Sequence, residues 1–471
     1  MKKASKISTL AFLGLFLALF ATLETGCKKE KFITDGSAQL SFSEDTIIFD
    51  TVFTTVGSVT QYLKVYNPHK GIIRISEIYI EGGEGSNYRL NVDGTPGKAF
   101  TDVEIGSEDS IFIFVEVTVD PNSGTSPLIL ADRIIFKTNG NVQHVDLVAW
   151  GQDAYFYKPA PHSNAFYMPC NFTLPTDKPN VFYGYAIVDE NCDLTMPAGA
   201  KVYFHPGSGI IVYKGSLTVN GTATNKVELQ GDRLEYDYRD VSGQWEGIRM
   251  IQPKTSNITH AIIKNGFYGI WVDTTFSNTD LVTLDKTEIS NMASLGIYGN
   301  AGARMTVKNG LVKDCGLYGL ALTYGGDFTF TNCTFGNYWT AATRNTANFY
   351  LKNWFETSAG DNIRDLNLAM DNCIIYGNLT NEFETDLKVA SVMNYTFKNC
   401  FIKSDKDLSD ASHFISISKN VDPSFEDTSL GKLKLLSSSL CIGAANIATA
   451  LPDDIDDKIR DAAPDVGCYE F

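Results

Sequence analysis

The chain is poor in the residue groupings that carry most enzyme chemistry. Its six histidines (His69, His144, His162, His205, His260 and His413) are widely scattered, with no His-x-x-x-His spacing and no Gly-x-Ser-x-Gly elbow elsewhere. A hydrolase triad is therefore unsupported. None of the nine cysteines belongs to a Cys-x-x-Cys pair, which argues against a thiolate metal site. Positive charge is also short, with 39 Lys and Arg against 55 Asp and Glu and a net charge of −16. A surface that acidic repels nucleic acid, so nucleic acid is not expected as a partner. What is present is a folded, strand-forming composition: 44% hydrophobic and only 20% charged, with 22 Tyr and 29 Phe. This excludes a disordered chain and favours an all-β one. At 471 residues, two or more domains are expected.

The N-terminus reads as an export signal. Lys2, Lys3 and Lys6 precede an apolar stretch over 10–23, too short and wrongly flanked for a membrane span, which ends at Thr25-Gly26 before Cys27. This arrangement resembles a bacterial lipoprotein signal, with Cys27 as the lipidated residue, although Glu24 stands where the lipobox expects an aliphatic side chain. Several acyl chains on one residue hold a protein to a bilayer, at about 0.8 kcal/mol per buried methylene. The expected partner is thus a membrane, reached through a lipid anchor, and the expected location is the outer membrane. Lys28-Lys29-Glu30-Lys31 leaves open whether the protein faces the periplasm or the surface.

Alternating apolar segments begin after about Ala38: Thr46-Ile47-Ile48-Phe49, then 61–66, 72–80, 111–119, 133–136 and 144–150, separated by turns such as Asn67-Pro68, Asp93-Gly94 and Asn139-Gly140. About seven short strands in such a stretch predict a β-sandwich. The phrases 60–67 and 115–121 resemble Hydin-type and major-sperm-protein-type immunoglobulin-like domains. Residues 154–190 hold Pro159, Pro161, Pro169, Pro175 and Pro179 and read as a linker or N-terminal cap, flanked by Cys170 and Cys192, a possible disulfide.

The C-terminal two-thirds repeats a cassette of a short β-run, Asn or Asp, a small residue, and often Gly before another apolar run. Examples are Ala261-Ile262-Ile263-Lys264-Asn265-Gly266, Glu288-Ile289-Ser290-Asn291 and Leu311-Val312-Lys313-Asp314-Cys315, with shorter copies ending at Asn332-Cys333, Asn372-Cys373 and Asn399-Cys400. The anchors at 265, 291, 314, 332, 372 and 399 are 26, 23, 18, 40 and 27 apart, the 40 being read as two coils. A period of about 20 to 27 residues predicts a solenoid. Stacked Asn side chains would bond to the coils above and below, and the Cys residues would stack as small buried groups. The stretches 196–204, 215–222 and 243–248 resemble right-handed parallel β-helices of the pectin-lyase type, and more closely a Bacteroidetes-type exported lipoprotein family. Residues 439–444 with 464–470 resemble the end cap of such β-helices, with Cys441 and Cys468 as a second possible disulfide.

The expected organisation is a signal peptide over 1–26, a tether over 27–37, an immunoglobulin-like β-sandwich over 38–153 and a linker or cap over 154–190. A single-stranded right-handed parallel β-helix follows over 191–436, and a C-terminal cap over 437–471. The expected function is non-enzymatic glycan or cell-surface binding, with no cofactor. Trp245, Tyr268, Trp271, Trp339 and Trp354 are the candidate sugar platforms, since an aromatic face combines apolar area with a polar rim. The insertion near 340–366 is the candidate functional loop. The alternatives are a structural envelope component and a polysaccharide lyase or glycoside hydrolase acting on an acidic polysaccharide. A lyase would use Arg233, Arg239 or Arg249 as base, with Asp240 and Glu246, joined by Asp232 and Asp237, as Ca²⁺ oxygens. Asn278-Thr279-Asp280 matches one piece of the polygalacturonase pattern, without its paired aspartates, Gly-His-Gly or Arg-x-Lys.

Overall fold

The structure, a computed structural model, describes residues 31–53, 58, 60–119, 128–234 and 238–471. The signal segment, Cys27 and Asp237 lie outside the described residues. The chain divides into two compact units, the first ending at Gln152 and the second beginning at Asp153.

The first unit is a β-sandwich of two five-stranded sheets. One sheet orders Ser41–Phe42, Gln61–Tyr66, Ser110–Val117, Tyr88–Val92 and Thr95–Gly97; the other orders Thr46–Phe53, Asn141–Gln152, Leu128–Thr138, Ile73–Ile80 and Ala99–Ile105. Period-two alternation drives the packing: Leu63, Val65, Ile113, Val115 and Val117 point inward and are fully buried. The segments 88–92 and 99–105, unread in the sequence, interleave the polar residues Arg89, Asn91, Asp102 and Glu104 with their apolar ones.

The second unit is a coil of three parallel sheets, called faces 1, 2 and 3 in chain order, with eleven, nine and ten strands. Each turn of the coil contributes one strand to each face, except at the C-terminal end, where strands continue on faces 1 and 3 only. Equivalent side chains therefore stack about 4.8 Å apart. On face 1 the inward column runs Val202, Leu229, Ile263, Ile289, Val312, Phe335, Ile375 and Ile402, all buried. Burial in such columns, at roughly 25 cal/mol per Å² of apolar surface, is what holds one coil on the next. The proline-rich segment read as linker or cap supplies the first coil, since Tyr155–Tyr157, Ala165–Tyr167 and Phe172–Thr173 are the first strands of the three faces. Its prolines fall between these strands or at the edge, where no ladder donor is lost. A disulfide joins Cys170 to Cys192 across the first two coils.

The polar anchors belong to two corners rather than one. Between faces 3 and 1, residues in the left-handed region recur at His260, Lys286, Asn309, Asn332, Asn372 and Asn399; between faces 1 and 2 they recur at Asn265, Asn291 and Asp314. Read by corner, the first series is spaced 26, 23, 23, 40 and 27. The interval of 40 is a single coil, not two: Thr334–Asn337 pairs directly with Ile374–Gly377, and the extra residues form a loop over 338–348 and a hairpin of Trp354–Thr357 with Gly360–Ile363. Some anchors do bond between coils, as Asn291 Nδ2 donates to Asn265 Oδ1 at 2.8 Å. Cys333, Cys373 and Cys400 are buried free thiols one coil apart, and burial pushes the Cys373 thiol well up.

The glycines of the cassette have a separate cause. Gly269, Gly296 and Gly319 stack where the chain enters face 2, and a Cβ at Gly296 would lie 2.4 Å from Val312 Cγ1 and 2.5 Å from the Gly319 carbonyl oxygen. Gly296→Ala is therefore expected to destabilise the unit by about 1–3 kcal/mol, as forced overpacking does. A urea unfolding curve would register this as a lower midpoint.

The C-terminal segment runs along the side of the coils instead of closing their end. Phe425, Leu433, Leu435, Cys441, Ile455, Val466 and Cys468 pack on the outward apolar residues Leu311, Ile374 and Phe401 of face 1. Left-handed corner residues hold it from the other side. Asn332 Nδ2 donates to the Asp465 carbonyl at 3.2 Å, Asn372 Oδ1 accepts from Asn446 N at 2.8 Å, and Asn309 Nδ2 donates to the Asp453 carbonyl at 3.1 Å. The acidic run 453–457 is paired mainly with coil residues: Asp453 and Asp457 pair with Lys286, Asp457 with His260, and Asp456 with Lys226 and with Lys434 of the C-terminal segment itself. Hydrogen bonds from Lys286 and His260 hold the Asp457 carboxyl below the usual carboxylate range. Cys441 and Cys468 are not bonded; both are free thiols in this lateral strap, pushed up to about 12 by burial. The motif 439–444 with 464–470 encodes local turns, and nothing in it specifies which coils the segment meets.

Candidate functional site

Face 2 carries an outward row of half-buried aromatic and charged side chains. Strand register aligns Ile211, Arg249, Trp271, Tyr298, Ala321, Tyr350 and Glu384 in one column, with Tyr268 and Tyr318 beside it. The rings touch in two groups: Tyr268 lies 5.7 Å from Trp271 and Trp271 4.9 Å from Tyr298, and beyond Ala321 Tyr318 stacks on Tyr350 at 5.3 Å. These residues are outward because their neighbours Ile270, Ile297, Leu320 and Phe349 fill the core, and period two sends the next residue out.

A polar row along the next corner fixes the rings. Asp273 accepts from Trp271 Nε1 and Asn300 Nδ2, both at 3.0 Å, and pairs with Arg249 at 3.2 Å. Arg249 lies 4.5 Å over the Trp271 ring, and Thr323 Oγ1 donates to the Tyr298 hydroxyl at 2.8 Å. Burial, helped by the Glu246 and Asp386 charges respectively, pushes the Tyr268 and Tyr350 phenols up to about 12. Both stay protonated at neutral pH, and the Tyr350 hydroxyl is hydrogen-bonded to Asp386.

The two insertions of the long coil wall this row on both sides at Tyr350. The loop 338–348 borders a pocket of about 580 Å³ lined by Tyr318, Tyr350, Asn345, Asn378, Asn381 and Glu384. It is held from beneath by a buried ion pair. Arg344 meets both carboxylate oxygens of Glu382 at 2.6 and 2.7 Å, with the two side chains 1% and 0% exposed. Glu382 also accepts from the backbone of Asn348 and Leu379. On the opposite side stands the hairpin, where Trp354 is gripped by Lys352 at 3.9 Å, by Lys388 at 3.3 Å and by Asp386, which accepts from its Nε1. Burial pushes the Asp386 carboxyl up, but the hydrogen bonds from Trp354 and Lys352 outweigh it and hold it low.

The residues singled out in the sequence divide between several places. Tyr268 and Trp271 are in the aromatic row, and Trp354 is in its wall. Trp245 is in the core, 1% exposed, stacked on Phe204 at 4.1 Å and donating to the Lys264 carbonyl. Trp339 is buried too, at 7%. Neither offers a ring face to a ligand. Arg249 and Glu246 lie on face 2, whereas Arg239 pairs with Asp240 at 3.1 Å on a loop beside face 1, where Asp240 borders a groove with Lys264, Ser290 and Lys313. The four do not converge on one centre. Asp232 binds His205 at 2.8 Å. Among the described residues no group of three His, Cys, Asp or Glu side chains is placed to hold a metal ion. Asp280 caps a turn, accepting from Thr255 N at 2.9 Å. Sequence reasoning missed Tyr350, Glu384 and Arg344. Aligning Leu320-Ala321-Leu322 with Phe349-Tyr350-Leu351 across the insertion would have found the first.

A stack of three-sided coils with one aromatic, walled face defines a right-handed parallel β-helix protein. The chain belongs to the right-handed β-helix region family, which matches residues 181–335 and 246–428, together more than half of the chain. No curated protein matches it significantly. Among solved structures it is similar to the catalytic unit of the GH87 α-1,3-glucanase of Streptomyces thermodiastaticus, at 11% identity and a TM-score of 0.21, covering 76% of each chain. A family 123 glycoside hydrolase from Clostridium perfringens matches at 8% identity and a TM-score of 0.18 over 26% of this chain, which spans 31% of the hydrolase's length. The ASH/PapD-like domain of human CEP192 also matches at 8% and 0.18, over 28% of this chain and 96% of that domain. Likenesses of this size carry no argument about activity.

Proposed function

We propose that the protein is a lipid-anchored envelope protein, attached through Cys27, that binds a neutral glycan along face 2 without cleaving it. The observation that carries this reading is the row Tyr268, Trp271, Tyr298, Tyr318 and Tyr350, half-buried, in two groups of touching rings, with two insertions at the Tyr350 end. Flat rings with hydroxyl and amide groups at their edges match the alternating apolar faces and hydroxyl rims of pyranose rings. Charge in the row is largely paired internally, as Arg249 with Asp273, Lys352 with Asp386 and Glu384 with Lys406. Among the described residues of this row, no surplus of cations is set out to hold a polyuronate.

The same pairing disfavours the lyase alternative. A base that abstracts the proton α to a carboxyl must be held beside it with its lone pair available, and Arg249 is committed to a carboxylate and a ring. Isothermal titration with neutral oligosaccharides tests the binding reading. Wild type is expected to bind, and a Trp271→Ala, Tyr350→Ala double variant to bind at least 10-fold more weakly with the fold retained by circular dichroism. Equal affinity in both proteins, or release of shortened or unsaturated products, would defeat it.

A further inference from the structure

The β-sandwich carries an aromatic surface that the β-helix reading does not use. On the sheet containing Gln61–Tyr66, Tyr88–Val92 and Ser110–Val117, inward positions are apolar and outward positions should be polar. Instead Tyr62, Phe112 and Phe114 stand outward, 60%, 44% and 43% exposed. They form one strip, with Tyr62 5.9 Å from Phe112 and Phe112 stacked on Phe114 at 6.3 Å. Lys64 lies over Phe112 at 5.4 Å. The strip ends in a pocket of about 390 Å³, floored by Phe114 and Leu90 and walled by Arg89, Asn91, Glu116 and the Pro96 hairpin.

We propose that this strip and pocket form a second carbohydrate-binding surface, for a neutral glycan chain. Three features select that occupant. The pocket has the volume of small-ligand sites and sets polar groups around an aromatic floor. Its charges balance, since Glu84 and Glu116 face Arg89 and Lys98, so an ionic ligand gains no net field. Three rings in a row fall far short of the roughly 800 Å² per partner that a stable protein interface buries.

The test uses the full chain carrying Trp271→Ala and Tyr350→Ala, so that loss of the face 2 site does not mask this one. Affinity electrophoresis and titration against soluble β-glucan, α-glucan, xyloglucan and mannan are expected to show retained binding to at least one. Adding Phe112→Ala and Phe114→Ala should weaken that binding at least 10-fold, with circular dichroism and melting unchanged because both side chains are exposed. Failure of the face 2-deficient protein to retain any of these polymers overturns the proposal, as does binding indifferent to the phenylalanines. A shift in sedimentation on Phe112→Ala, Phe114→Ala without change in glycan binding would also overturn it, in favour of a contact between copies. If wild type binds and only the face 2 substitutions matter, face 2 stands and this surface falls.

Discussion

Glu382→Ala is expected to lower the free energy of unfolding by about 3–5 kcal/mol, the range for breaking a fully buried ion pair and stranding its partner. Arg344 would keep its charge at 1% exposure with no carboxylate to meet it. The backbone donors of Asn348 and Leu379 would lose their acceptor as well. Because those donors belong to the loop 338–348 and to the turn before Phe383–Asp386, the damage falls on the pocket wall beside Tyr350. Urea unfolding and limited proteolysis should report together: a lower midpoint and new cleavage within 338–348. Replacing both partners by apolar residues, as in Arg344→Met with Glu382→Leu, is expected to recover part of the stability. A Glu382→Ala protein as stable as wild type would mean that the pair is not buried.

Arg460→Ala is expected to have an effect of the same order, about 3–5 kcal/mol, for a related reason. The Arg460 guanidinium is 2% exposed, pairs with the 4% exposed Glu470 at 3.1 Å, and donates to Asn309 Oδ1 and to the carbonyls of Asp453, Asp465 and Gly467. One side chain thus ties the strap to itself and to a coil corner. Its loss leaves Glu470 charged and buried and loosens the cover over Leu311, Ile374 and Phe401. Hydrogen exchange should rise over 441–471 and along the neighbouring face 1 strands. Lys434→Ala, by contrast, removes a side chain that is 59% exposed from its pair with Asp456, and is expected to change stability by no more than about 1 kcal/mol.

The contrast between these two sites and the repeated cassette explains how much the sequence revealed. Coil architecture is written at short range: an apolar residue every second position, a left-handed Asn at the corner, and a glycine where the next coil approaches. Such signals need no knowledge of distant partners, and Ile263, Ile289 and Val312 could be stacked by counting. Counting failed where two corners shared one residue type. Asn291 and Asn332 look alike in sequence, yet they turn different corners, and merging them hid that the interval carrying the insertion near 340–366 is one long coil.

Long-range partners were unreadable for the same physical reason. Nothing near Arg344 announces Glu382, and nothing near Asp457 announces Lys286 and His260. Tryptophan is ambiguous in another way. Trp245 and Trp271 both lie beside β-type runs, but Trp245 turns into the core on Phe204 while Trp271 turns out under Arg249. Only the register of the coil decides between them.

Mapping a bound oligosaccharide by hydroxyl-radical footprinting and mass spectrometry tests the face 2 site most directly. With a neutral oligosaccharide at saturation, protection is expected at Trp271, Tyr298, Tyr318 and Tyr350, while the core residues Trp245 and Trp339 stay unreactive with or without ligand. Protection confined to the face 1 groove around Lys264, Ser290 and Lys313, or no change at the four aromatic residues, would contradict it.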